Sequence, residues 1–122
     1  MNNLELKKRA NDVRKGIVTA VHSAKAGHPG GSLSAADMYT FLYFEEMNID
    51  PADPKKADRD RFVLSKGHTA PGLYSTLANR GYFPVEDLKT LRPVQHNVSY
   101  NGTAGTVRGI HAEPWDKLVS VL

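Results

Sequence analysis

The chain has 122 residues, a formal charge of +3 and an isoelectric point of about 9.2. That is the size of one small domain, and 40% hydrophobic with 24% charged residues reads as soluble and globular. No apolar run nears the roughly 20 residues that span a bilayer, Met1 to Arg9 is too polar for a signal peptide, and the absence of cysteine excludes disulfides and thiolate metal sites.

A cytoplasmic setting without membrane contact is therefore expected. The slight basic surplus is interleaved with acids, as in Lys55 to Arg61. It suits a phosphate-bearing small ligand and is too weak to imply nucleic acid.

Leu4 to Ala26 has helical spacing through Leu6, Ala10, Val13, Ile17, Val21 and Ala24, with Lys and Arg filling much of the rest. Asn2 or Asn3 is placed to cap it, and Gly27 to stop it. Gly27-His28-Pro29-Gly30-Gly31-Ser32-Leu33-Ser34 reads as a glycine-rich hinge with one histidine in it. Ser34, with Asp37 three residues on, predicts the cap of a second helix running to Met47. That helix carries Met38, Tyr39, Phe41, Leu42 and Phe44 around most of its girth, so deep burial is expected.

Asn48 to Asp58 reads as a loop broken by Pro51 and Pro54. Arg61 to Ser65 is a short apolar run between charge and glycine, which predicts a buried parallel strand. Lys66 to Thr69 would then be a strand-to-helix turn, Ala70 to Asn79 a helix ended by Arg80-Gly81, and Pro84 to Leu91 a short helix opened by its proline. Beyond Pro93 no period of either kind persists. The two Asn-X-Ser/Thr triplets there, at 97–99 and 101–103, are read as chance matches.

His28 and His68 share a setting, since each follows a glycine where an ordered element gives way to a turn. His68 falls just past the carboxyl end of the expected strand, where open parallel sheets bind ligands. The next helix would offer its amides to a phosphate, and histidine can donate to a phosphate oxygen or shuttle a proton. Either histidine could equally serve its own turn. His22, inside the first helix, reads as a partly exposed packing residue, and His96 and His111 are given no role. The five histidines lack ligand-like spacing, so no zinc site is expected.

Three stretches in order, Ala26-Gly-His-Pro-Gly-Gly-Ser-Leu-Ser34, Asp60-Arg-Phe-Val-Leu-Ser-Lys-Gly-His68 and Arg80-Gly-Tyr-Phe-Pro84, resemble the N-terminal part of transketolase. The separate N-terminal subunit of split transketolases is the nearer likeness. Met47-Asn-Ile-Asp-Pro51 also fits, and the resemblance runs from about residue 4 to residue 92.

It implies an α/β protein, the N-terminal fragment of a doubly wound parallel-sheet fold, mostly helical with one clear strand. It implies transfer of a two-carbon ketol unit between sugar phosphates in carbohydrate metabolism, as in the pentose phosphate pathway, with thiamine diphosphate carrying the carbanion chemistry. By match to the family's motifs, His68 would contact the cofactor diphosphate and His28 would face the reacting sugar. The pyrimidine side of the cofactor would come from a C-terminal subunit or a second protomer.

After Arg92 the family continues with a further Gly-His-Pro, a Ser-Thr-Gly-Ser-Leu-Gly-Gln-Gly loop and a Gly-Asp-Gly motif that holds Mg2+, and none of these occurs after Arg92 in this sequence. The chain thus divides into an incomplete domain at 1–92 and an irregular tail at 93–122. A shift of reading frame near Arg92 is one account of the break. With one choice of codons, Ile110 to Trp115 read one nucleotide later gives Ser-Thr-Arg-Ser-Leu-Gly. The expectation is a fragment inactive by itself. Rival readings are a non-catalytic helical interaction module and, less favoured, a nucleic-acid binder using Lys7, Lys8, Arg9, Arg14 and Lys15.

Overall fold

The computed structural model describes residues 1–25, 29–64 and 67–90. His28, Ser65, Lys66 and the whole 93–122 tail, with His96 and His111, lie outside the described residues.

Helix α1 spans Asn3–Ala24. Asn2 starts it with a reciprocal cap, in which its Oδ1 accepts the Glu5 amide at 2.8 Å and Glu5 Oε2 accepts the Asn2 amide at 3.1 Å. Lys25 ends it in the left-handed region at φ 56°, its amide reaching the Val21 and His22 carbonyls. The turn thus comes two residues before the expected glycine. Ala10, Val13, Gly16, Ile17, Ala20 and Ala24 form its buried stripe.

Helix α2 spans Pro29–Phe41 and runs on as a single π turn, Leu42–Glu46. The expected start at Ser34 is corrected. Proline at the first helical position presets φ and lacks only an amide that would have no partner there. Ser34 lies inside the helix, donating its hydroxyl to the Gly31 carbonyl at 2.9 Å. Gly30 and Gly31 weaken a helix by roughly 1 kcal/mol each relative to alanine, and the tertiary anchoring of Ser32 works against that loss. Burial is one-sided: Ala36, Tyr39, Thr40 and Tyr43 are covered, while Met38 is 67% and Phe41 47% exposed.

The following loop closes on itself. Asn48 donates from its amide to Asp60 Oδ2 at 2.7 Å and from Nδ2 to the Asp58 carbonyl at 3.0 Å. Residues 61–64 then form no strand, and no strand occurs among the described residues. The strand expected over Arg61 to Ser65 is not seen across 61–64, and Ser65 lies outside the described residues. A strand needs a neighbour for its amides and carbonyls, and no strand is present among the described residues to supply one. Phe62 is held by aromatic contact instead, edge-on to Tyr39 and Tyr43 with both centroids at 5.9 Å.

A 3-10 turn, Gly67–Thr69, leads into helix α3, Ala70–Arg80, which Gly81 ends at φ 109°. Every residue of α3 from Ala70 to Ala78 is buried, so it is the interior helix. It meets α1 where Gly16 lies against Ser75, whose hydroxyl donates to the Val13 carbonyl at 2.7 Å. A second 3-10 segment, Val85–Thr90, follows Pro84 and buries Leu88 beside Gly16. Ser23 of α1 donates to the Lys89 carbonyl.

Tyr43, Tyr74 and Tyr82 bury hydroxyls that have no partner among the described residues. No helix among the described residues is long and apolar enough to cross a membrane.

Candidate functional site

The site is built where the start of α2 meets the start of α3. His68 stands exposed in the Gly67–Thr69 turn, while the adjacent Thr69 is buried. α2 holds that turn through two contacts. The Tyr39 hydroxyl donates to Thr69, its proton shared between Oγ1 at 2.9 Å and the carbonyl oxygen at 3.2 Å. Ser32 Oγ accepts the buried Gly72 amide at 3.0 Å. Gly72 permits this approach, since a β-carbon there would stand 2.7 Å from Tyr39 Cε2 and 3.2 Å from Ser32 Cβ.

α2 and the start of α3 are thereby joined across 40 residues of sequence by the Ser32–Gly72 bond. His28 lies outside the described residues, though Pro29 beside it begins the helix that makes both contacts. His22 is exposed near the end of α1 rather than packed.

The start of α3 is suited to an anion. Aligned peptide dipoles leave partial positive charge at a helix N-terminus, and Thr69 at the cap position makes no side-chain capping bond. Burial pushes the Tyr39 phenol above its ordinary range, the bond to Thr69 opposing, so it is a protonated donor at neutral pH. Among the described residues, no three His, Asp or Glu side chains converge to hold a metal ion.

The family described as the transketolase thiamine diphosphate-binding domain matches residues 6–112. The chain belongs to this family. The transketolase match runs past Arg92, where the resemblance read from the motifs stops. The 6-deoxy-6-sulfo-D-fructose transketolase subunit of Clostridium sp. (strain MSTE9) is 48% identical over 88 residues, which are 72% of this chain and 32% of that one. An apulose-4-phosphate transketolase subunit of Phocaeicola vulgatus is also 48% identical over 88 residues, or 72% of this chain and 31% of its own. Transketolase 1 of Escherichia coli is 38% identical over 105 residues, 85% of this chain and 16% of its own length. The chain therefore spans about a third of the split subunits and less of the undivided enzyme.

In this transketolase domain the exposed His68 stands beside the N-terminus of α3, whose cap residue is Thr69. Sequence reasoning missed Tyr39, Ser32 and Thr69. Tyr39 was hidden among the apolar positions of a greasy helix. Ser32 and Thr69 sit inside or beside the motifs and carried a signal, two hydroxyls at positions that turned out to be buried.

Proposed function

We propose that the chain is the N-terminal portion of a transketolase cofactor-binding subunit. It would take part in moving a two-carbon ketol unit from a ketose phosphate to an aldose phosphate in cytoplasmic carbohydrate metabolism. When bound, thiamine diphosphate with Mg2+ would supply the carbanion chemistry. The chain's own residues bind and orient. His68 donates a hydrogen bond to a diphosphate oxygen, with the start of α3 adding favourable dipole. His28 faces the reacting sugar, where it orients a hydroxyl or moves its proton.

A C-terminal transketolase subunit or second protomer completes the site from the pyrimidine side. That the two 48% identical relatives are named as subunits supports this. The parallel sheet is completed by a neighbour to residues 61–65, giving the doubly wound α/β fold. The one observation that supports the reading is that α2, which begins at Pro29, holds the turn and helix around His68 through Ser32–Gly72 and Tyr39–Thr69.

Equilibrium dialysis with thiamine diphosphate and Mg2+ tests the cofactor reading. Binding that His68→Asn weakens about tenfold or more, the scale of losing a hydrogen bond to a charged group, is the expected result. Equal binding by both proteins would remove it. A coupled ketol-transfer assay of the chain alone is expected to show no turnover, and measurable turnover would contradict the inactive-fragment part. The interaction-module reading keeps one observation, the exposed Met38 and Phe41 of α2. A complex with a C-terminal subunit that forms equally with and without cofactor would favour it.

A further inference from the structure

We infer that Tyr39 is a positioning residue for the turn that carries His68, acting through Thr69. The inference rests on the reading of His68 as the diphosphate contact.

Tyr39 touches both flanks of the Ser65-Lys66-Gly67-His68 stretch. Upstream, its ring meets Phe62 edge-on at 5.9 Å with an interplanar angle of 74°. Downstream, its hydroxyl is bonded to Thr69 Oγ1 and to the Thr69 carbonyl. A third side of the ring rests on Gly72, one turn into α3, where a β-carbon would displace it. With 4% of its surface exposed, the tyrosine has no room for another rotamer.

A phenol is suited to this task. Its rigid ring carries the hydroxyl out from α2 to a fixed point, and only two side-chain torsions must be frozen. Phenylalanine at the same place would keep the contacts with Phe62 and Gly72 and lose only the bond to Thr69. Thr69 is the residue after His68 and stands at the cap position of α3. Loosening it lets the His68 backbone and the first turn of α3 move together, which spreads the donors a diphosphate would meet. A misplacement of about 1 Å in a binding group is costly. Tyr39 acts through Thr69 and is therefore a positioning residue rather than a catalytic one.

The experiment compares wild type, Tyr39→Phe, Thr69→Val, the double variant and His68→Asn in the full 122-residue chain. Dissociation constants are measured for thiamine diphosphate with Mg2+, and for thiamine without its phosphates. Tyr39→Phe is expected to weaken the diphosphate form by roughly threefold to tenfold, the range of one neutral hydrogen bond, while thiamine binding stays put. The effects of Tyr39→Phe and Thr69→Val should be less than additive in the double variant, because the two share the hydroxyl–hydroxyl bond.

Histidine side-chain resonances, assigned by their loss in His68→Asn, give a readout independent of cofactor. They are expected to shift or broaden in Tyr39→Phe, with the urea unfolding midpoint lowered only as far as the loss of one buried hydrogen bond requires. Wild-type affinity in Tyr39→Phe beside weakened binding in His68→Asn overturns the inference and leaves the cofactor reading standing. Unaltered binding in His68→Asn overturns the cofactor reading. Unaltered His68 resonances in Tyr39→Phe overturn the positioning role by themselves.

Discussion

α3 is gripped by two different kinds of contact. Against α1 the fit comes from a missing side chain: Gly16 leaves room for Ser75 and Leu88, and the helices interlock there. Against α2 the fit comes from hydroxyls, with Ser32 on the Gly72 amide and Tyr39 on Thr69. The first contact is tight and lies far along α3 from His68. The second lies at the start of α3, beside the exposed histidine. One contact sets whether the helices pack, and the other sets where the functional turn sits.

Substitutions at each contact break the comparison in graded ways. Gly16→Val has the largest expected effect, since its β-carbon would overlap the Ser75 hydroxyl and stand 3.0 Å from Leu88 Cδ1. Overpacking of a close contact costs about 1–3 kcal/mol and sometimes more, so urea denaturation should show a strongly lowered midpoint. Ser32→Ala comes next. It leaves the buried Gly72 amide without its acceptor, a loss of about 1–3 kcal/mol, and amide hydrogen exchange should quicken at Gly72 before it does at the α1 contact. Ser75→Ala removes one bond to the Val13 carbonyl and should cost about 1 kcal/mol by the same denaturation.

The smallest effect separates fold from site. Gly30 is helical, and a β-carbon there would meet nothing within 4 Å. Gly30→Ala should therefore stabilise the chain slightly, by about 0.5–1 kcal/mol. A lowered midpoint would show that Gly30 meets packing that the described residues do not supply.

Much of the helical frame was legible because its signals are local. The Asn2 cap and the stripe from Ala10 to Ala24 follow from a 3.6-residue period and a side chain three residues from its amide. Gly81 closed α3 as its lack of a β-carbon suggests. Where the reading failed, the deciding partner was distant in sequence. Ser34 matched a cap pattern, yet the helix starts earlier at Pro29, where Ser32 is anchored to an amide 40 residues away. Arg61 to Leu64 has strand-like composition but no neighbouring strand among the described residues. The His68 turn was legible as a position, while its hold on α2 was not, because apolar periodicity counts Tyr39 as a ring and ignores its hydroxyl.

The buried phenols carry a consequence for alkaline solution. Burial holds Tyr43 and Tyr74 protonated far above the ordinary phenol value of 10.0, whereas in an unfolded chain they would ionise near that value. The folded form thus keeps protons that the unfolded form releases, so these two groups leave stability unchanged below about pH 10 and erode it as pH rises further. Phenolate absorbance from these two rings should then rise in a steep step that coincides with loss of helical circular dichroism. The interior that shelters α3 doubles as an optical alarm, reporting by ultraviolet absorbance the moment base prises the helices apart.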